Sequence, residues 1–236
     1  MTLDEVMSEL RSMGTEQTRK TFIRHGVPED RILGVKVGDM KKLLKKIKGD
    51  QPLAMKIYAT GIFDAMYLAG LAADGSRMTR KQLETWARQA EFGMISEYTV
   101  PGVAAESEHA ATLATKWIES RKEHIAASGW ATWGAIVATQ PDENLDLDLL
   151  ERLIDRVVEE IHDAPNRVRY TMNGFIISVG GYVKPLLSQA KAAAKKIGKV
   201  SVDMGDTACK VPLATEYIAK IEDKGRVGKK RATAKC

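Results

Sequence analysis

The chain has 236 residues, of which 44% are hydrophobic and 6% are aromatic, and its net charge is +5. This hydrophobic content supports a sizeable core and excludes disorder for most of the chain, while abundant Ala, Leu, Ile, Met and Lys favour helix over sheet. Two isolated cysteines, Cys209 and Cys236, argue against a zinc site and a disulfide framework and are typical of a reducing cytoplasm. No apolar run approaches the roughly 20 residues of a membrane span, and the acidic N-terminus is no signal peptide. We therefore expect a cytoplasmic, helical protein with no metal and no cofactor.

The N-terminal third predicts four short helices from their capping residues. Thr2, with Glu5 three residues later, forms a capping box, and the next three helices are predicted to begin after Thr15, Asp39 and Asp50. The helix after Asp39 turns a run of lysines to one side: Lys41, Lys42, Lys45, Lys46 and Lys48, with Lys36 just before it. Such a run is either a solvated helix face or, if other basic residues join it, a track for nucleic-acid phosphates.

The middle of the chain holds all four tryptophans, Trp86, Trp117, Trp130 and Trp133. Helical patterns cover residues 62–73, 80–89, 94–105, 108–119 and 122–138, and Pro101 is expected to kink or split the third of these. Trp86 and Trp117 lie at core spacing. Trp130 and Trp133 are three residues apart and share a side of one helix, so they are either core residues or a stacking surface beside Tyr98.

The last third begins with the clearest amphipathic helix, residues 145–161, whose polar face is acidic and should point away from any polyanion. Helices are also predicted over 166–180, 185–197 and 213–222, and residues 200–204 are predicted to form an extended loop. Residues 223–236 are basic, carry no apolar stripe, and are predicted to be a disordered tail after a single domain, residues 1–222. Short helices joined by short loops, in pairs of about forty residues, predict an all-α, HEAT-like superhelix (an α-solenoid) with a concave basic face.

Several segments resemble the DNA alkylation repair family, the AlkD-like HEAT-repeat glycosylases, in what looks like a divergent bacterial branch. The resemblance rests on residues 1–7 (MTLDEVM), 14–20 (GTEQTRK), 34–43 (GVKVGDMKKL), 168–173 (VRYTMN), 198–203 (GKVSVD) and 205–212 (GDTACKVP). It implies a helical superhelix that holds duplex DNA on its concave face. Active members excise cationic N3- or N7-alkylated purines with tryptophans, an aspartate and an arginine, because a carboxylate stabilises the oxocarbenium-like sugar.

This sequence departs from that family pattern at the catalytic positions. Met94 and Tyr98 stand where the family has a tryptophan and an aspartate, and Gly174 stands where it has a second tryptophan. Where the paired arginines are expected the chain has Ala126 and Ala127. The resemblance therefore implies the family's fold and DNA partner, with its catalytic residues replaced.

The sequence thus predicts a monomeric DNA-binding protein that holds duplex DNA, including damaged duplexes, in a basic groove. The first alternative is an active alkylpurine glycosylase with a rearranged site, and the second is a helical protein-interaction scaffold with no DNA role. In a rearranged site Glu97 is the candidate catalytic carboxylate, and Tyr98, Trp130 and Trp133 are the candidate aromatic wall. The candidate phosphate-binding residues are Lys41, Lys42, Lys45 and Arg169.

Overall fold

The computed structural model describes residues 1–235, and this part of the chain contains thirteen α-helices, one π-helical turn and four short 3-10 turns, with no strand. The order is α1 Leu3–Met13, α2 Glu16–Arg24, α3 Val37–Ile47, α4 Gln51–Tyr58, α5 Phe63–Ala72, α6 Arg80–Gln89, the π turn Ile95–Thr99, α7 Val100–Ala104, α8 Ala110–Ile118, α9 Glu123–Thr139, α10 Leu147–Glu160, α11 Asn166–Tyr182, α12 Leu187–Ile197 and α13 Ala214–Asp223. None of these helices is long and apolar enough to cross a membrane.

Most of the predicted helix starts are confirmed by the capping geometry. The side chains of Thr2, Thr15 and Asp50 each accept a hydrogen bond from a first-turn amide, and Glu5 completes the capping box of α1. The predicted cap at Asp39 is wrong, because α3 already begins at Val37. Asp39 lies instead inside the first turn of α3, where a carboxylate favours the positive end of the helix dipole.

The helices after α3 pair into two rows. An outer row is formed by α4, α6, α8, α10 and α12, and an inner row is formed by α5, the π turn with α7, α9, α11 and α13. Each outer helix is followed in the chain by its inner partner, and neighbours within the inner row pack side by side, most extensively α9 against α11. This is the predicted all-α, HEAT-like architecture, and the fold prediction is confirmed.

Neighbouring helices within the inner row and within the outer row make different kinds of contact. Inner helices approach closely at glycines: a Cβ added to Gly70 would lie 2.2 Å from the Thr99 side chain, across the gap between α5 and the π turn. Outer helices are linked instead by ion pairs between partly exposed side chains, such as Lys116 on α8 with Glu84 on α6 at 2.8 Å. Arg156 on α10 likewise pairs with Glu119 at the end of α8.

The apolar side chains form two buried clusters. The first cluster joins α1–α8 and the start of α9, and it includes Trp86, which stacks on Tyr58 with ring centroids 3.8 Å apart, and Trp117 on α8. The second cluster joins α8–α13 and contains Trp130 and Trp133. All four tryptophans are therefore core residues, as the spacing of Trp86 and Trp117 predicts.

The sequence suggests that acidic and basic residues lie on opposite sides of the protein, but the structure separates them only in part. The carboxylates of α10 are exposed in the outer row, as predicted. Lys191, Lys195 and Lys196 form a second lysine run on α12, which lies beside α10 in the same outer row, and Lys191 pairs with Glu222 on α13 at 2.7 Å. The exposed lysines of α3 pack on neither of these helices, because α3 contacts α1 and α5.

The prediction of a disordered tail is wrong for the residues that the structure describes. Residues 224–235 turn back over the ends of α11, α9 and α5, with the Arg231 amide donating to the Ala138 carbonyl at 2.8 Å. Lys230 Nζ donates to the Val137 carbonyl at 2.9 Å, and Lys235 Nζ donates to the Ala73 carbonyl. The tail is thus held by polar contacts without an apolar stripe: its lysines bind carbonyls at helix C-termini, where a cation is favoured, and Lys230 and Lys235 also pair with Asp142 and Glu106.

Candidate functional site

The site begins with a π turn that the sequence marks by Pro101. A proline has no N–H and its ring clashes with the carbonyl four residues earlier, here that of Glu97, so the helical ladder widens. The Val100 amide accordingly donates to the Ile95 carbonyl, five residues back, and α7 continues from there. Ser128 Oγ on α9 donates to the Ser96 carbonyl at 2.8 Å, which anchors the turn. The helix is not split at Pro101: the disturbance takes the form of a π turn just before the proline, and π turns of this kind are frequent at functional sites.

The π turn sends two adjacent side chains in different directions, and Glu97 points inward. The side chain of Glu97 is 2% exposed and forms a two-pronged ion pair with Arg167 on α11. Arg167 Nε lies 2.6 Å from Glu97 Oε1 and Nη2 lies 2.7 Å from Oε2. Burial raises the pKa of Glu97, against the lowering effect of Arg167. Burial acts to lower the pKa of Arg167, but its pairing with Glu97 outweighs that effect and the pKa is raised. The carboxylate is thus occupied by a fixed guanidinium and is withdrawn from solvent.

Tyr98 points outward from the same turn and is 41% exposed. Its hydroxyl lies 3.3 Å from that of Tyr170 on α11, and the Tyr170 ring lies beneath the Arg167 guanidinium at 4.7 Å. Burial of part of its ring and the neighbouring Tyr170 hydroxyl raise the pKa of Tyr98, so its phenol stays protonated. Glu97, Arg167, Tyr170 and Tyr98 therefore form one connected stack in which each member fixes the next.

Two cavities meet at this stack. The first, which we call the tyrosine groove, has a volume of about 310 Å³ and runs between α9 and α11. Its walls include Tyr98, Tyr170, Gly174, Ser178 and Tyr182, and the tail contributes Arg231. Glu97 is the one carboxylate among the described residues that lines it.

The second cavity, which we call the junction cavity, has a volume of about 500 Å³ and lies between the N-terminal and C-terminal thirds of the chain. One wall is the end of α2, and the opposite wall is the loop after α12, including Met204 and Gly205. Asn166 holds this loop through hydrogen bonds of 2.7 and 2.9 Å to the backbone of Asp203. A Cβ on Gly205 would lie 2.8 Å from the Arg24 carbonyl, so the loop abuts α2.

The predicted aromatic wall is only partly present. Tyr98 lines both cavities, but Trp130 and Trp133 are 1% and 4% exposed and cannot offer a ring face to a ligand. Trp130 packs against Phe175 with ring centroids 5.4 Å apart, and only the 1% of each residue that is exposed lines the tyrosine groove. The assignment of Trp130 and Trp133 as lesion-facing residues is therefore wrong: both belong to the core of the second cluster.

The predicted phosphate-binding residues lie away from the cavities. Lys41, Lys42 and Lys45 are exposed on α3, and none of them forms an ion pair within residues 1–235. Arg169 is half-buried, lines neither cavity, and its buried Nε has no hydrogen-bond partner in the described chain. The structure thus brings Glu97 and Tyr98 together and does not join them to Arg169 or to the lysines.

Sequence reasoning missed Arg167, Tyr170 and Tyr182. Tyr170, Gly174, Ser178 and Tyr182 are spaced four residues apart, which places them on one face of α11, and this spacing was available as a signal. Arg167 gave no such signal, because its partner Glu97 is 70 residues away in the sequence.

Comparisons with known proteins agree with this architecture. Residues 6–199 match the family model described as DNA alkylation repair enzyme. Two uncharacterized proteins, Lmo0209 of Listeria monocytogenes and Lin0241 of Listeria innocua, are 34% and 33% identical to the chain over 234 residues. Each alignment covers 95% of this chain and 99% of the relative.

A solved structure is similar over almost its whole length. It represents a family of proteins related to the HEAT-like repeat DNA glycosylases with affinity for branched DNA structures. It is 36% identical to this chain, covers 98% of each chain, and superposes with a TM-score of 0.90. With a family match that spans most of the chain and relatives that align nearly end to end, this protein belongs to the DNA alkylation repair enzyme family.

Proposed function

We propose that this protein binds branched DNA and leaves the N-glycosidic bond intact. The Glu97–Arg167 ion pair is the observation that supports an intact N-glycosidic bond. A carboxylate that stabilises an oxocarbenium-like sugar must present its charge to the substrate. Glu97 has both oxygens bound by Arg167 and almost no exposed surface, so its charge is neutralised within the protein.

The neighbouring positions support the same conclusion. Tyr98 occupies the position where the family resemblance expects the catalytic aspartate, and a protonated phenol carries no negative charge to offer a cationic sugar. Gly174 occupies the position of an expected tryptophan and leaves open space. Base excision would require Arg167 to leave Glu97, which would strand a buried charge.

The proposal that the protein binds DNA rests on the relative with affinity for branched DNA and on the net charge of +5. Lys41, Lys42 and Lys45 supply three exposed cations on α3 without carboxylate partners in the described chain, and they are the phosphate contacts that we propose. A branched structure presents several duplex arms, so an arm on α3 can be bound while the branch point lies over the inner row.

The binding test compares a labelled four-way junction with a linear duplex of the same sequence, by fluorescence anisotropy at several salt concentrations. We expect tighter binding of the junction. Reversal of Lys41, Lys42 and Lys45 to Glu should weaken binding to both DNAs and reduce the slope of log K against log salt by about 3. Reversal of Lys195, Lys196 and Lys199, near the acidic helix α10, changes the net charge equally and is the control. An equal effect of both triple variants would refute the assignment to α3.

The catalytic test uses duplex DNA that carries 7-methylguanine. We expect no release of the base in the presence of the wild-type protein. If release occurs, and if it disappears in Glu97→Gln, the protein is a glycosylase with a rearranged site and the proposal fails.

A further inference from the structure

The tyrosine groove has features that phosphate binding does not require. Tyr170, Gly174, Ser178 and Tyr182 follow one another every four residues on α11 and form a stripe about 18 Å long. Tyrosines stand at both ends of this stripe, and small residues lie between them. The groove is therefore a slot with an aromatic wall at each end.

Glycines on the two facing helices shape the slot: Gly174 leaves it open, and Gly134 lets α9 approach Ser178 closely. A Cβ on Gly174 would meet no atom within 4 Å, so this position of α11 borders open space. Across the slot on α9, a Cβ on Gly134 would lie 3.3 Å from Ser178 Oγ. Glycine in a helix interior costs about 1 kcal/mol relative to alanine, and at Gly174 no packing contact explains that cost.

The chemistry of the slot favours an aromatic anion. The Tyr98 ring is exposed and is held by its contact with Tyr170, which is fixed by Arg167, so this surface is rigid before a ligand arrives. Arg231 is exposed on the wall formed by the tail and has no carboxylate partner within residues 1–235. Because the carboxylate of Glu97 is already neutralised, the groove has a cation and no free anion.

We propose that the tyrosine groove binds an unpaired nucleotide at the branch point of the DNA. The base stacks against Tyr98, its polar edge meets the hydroxyls of the groove, and its phosphate faces Arg231. The volume of about 310 Å³ is large enough for one nucleotide. This inference rests on the proposed binding of branched DNA and names the part of that DNA which the inner row recognises.

The test uses two junctions of identical arms, one fully paired and one with a single unpaired 2-aminopurine at the branch point. We expect the wild-type protein to bind the unpaired junction more tightly, by about tenfold, and to change the 2-aminopurine fluorescence as the base stacks. Gly174→Trp fills the slot and Tyr98→Ala removes the stacking ring, so each should bring the ratio of the two affinities close to one. Tyr217→Ala removes a tyrosine that is 46% exposed on α13, outside the groove, and should leave that ratio as in the wild type.

The outcomes separate this inference from the proposed function. If neither junction binds, the proposed function fails. If both junctions bind with equal affinity in the wild type, or if both groove variants keep the wild-type preference, branched-DNA binding stands and the nucleotide site is refuted. Thermal unfolding of each variant establishes that it is folded, and Tyr98→Ala decides the question should Gly174→Trp not fold.

Discussion

The ion pair between Glu97 and Arg167 gives the sharpest stability prediction. Arg167→Leu removes the guanidinium and leaves the Glu97 carboxylate in a site where its side chain is 2% exposed. Breaking a buried pair by removing one partner costs about 3–5 kcal/mol, and we take about 3 kcal/mol because Arg167 itself is 27% exposed. Glu97→Gln should cost less, since Arg167 keeps an amide oxygen to bind and can still reach water.

The double variant tests the origin of this cost. When Arg167→Leu is combined with Glu97→Gln, the buried charge is gone, so the total cost should be smaller than the sum of the two single costs. The free energy of unfolding can be measured by urea titration with tryptophan fluorescence, because all four tryptophans are buried. Arg156→Leu is the control: Arg156 also binds two carboxylates, but both are exposed, and its loss should cost at most about 1 kcal/mol.

The loss of unfolding free energy in Arg167→Leu should also depend on pH, and it should be smaller at acidic pH. Burial raises the pKa of Glu97 in the folded protein, and loss of Arg167 removes the main opposing effect. A group whose folded pKa is raised stabilises the fold fully below its unfolded pKa and loses that contribution as pH rises through the folded pKa. Arg167→Leu should therefore be destabilised less at acidic than at neutral pH. Costs that simply add, with no pH dependence, would refute the argument that a stranded carboxylate causes the loss.

Three further predictions concern the fold. Asp64→Asn should lower the free energy of unfolding by about 2 kcal/mol in urea titration, because the buried carboxylate accepts two backbone amides at 2.6 and 2.7 Å. Gly129→Ala should be destabilising, since its Cβ would lie 2.6 Å from the Ile118 amide. Gly174→Ala, in open space, should stabilise the protein by about 0.5–1 kcal/mol, so the two variants should shift Tm in opposite directions. Ending the chain after Asp223 should cost about 2 kcal/mol and lower Tm by about 4–8 °C, because the tail lysines no longer bind helix ends; an unchanged Tm would contradict that role.

The helices were predictable because their signals are local. Caps such as Thr2 and Thr15 and the apolar stripes lie within a few residues of the turns that they specify. The cap at Asp39 was misplaced for the same reason: a favourable first-turn carboxylate and a capping carboxylate look alike in a sequence. The tail was misjudged because its order comes from distant partners, with Lys235 bound to a carbonyl 162 residues earlier.

The site was predictable only where one residue carried the signal. Pro101 marked the π turn, and through it the place of Glu97 and Tyr98. The state of Glu97 could not be predicted, because it depends on Arg167 on another helix. The same limit explains Trp130 and Trp133: their spacing places them on one side of α9, but only the packing of α10 and α11 decides that this side is buried.

The construction of the two rows has a mechanical consequence. Inner-row neighbours meet at glycines and through the buried Glu97–Arg167 pair, which salt screens little, whereas α6, α8 and α10 are linked by ion pairs between partly exposed groups, which salt screens more. Rising ionic strength should therefore weaken the links between α6, α8 and α10 more than the contacts of the inner row. Phosphate contacts weaken over the same range of salt, so a salt titration of DNA binding acts on the outer-row ion pairs as well as on the contacts with DNA.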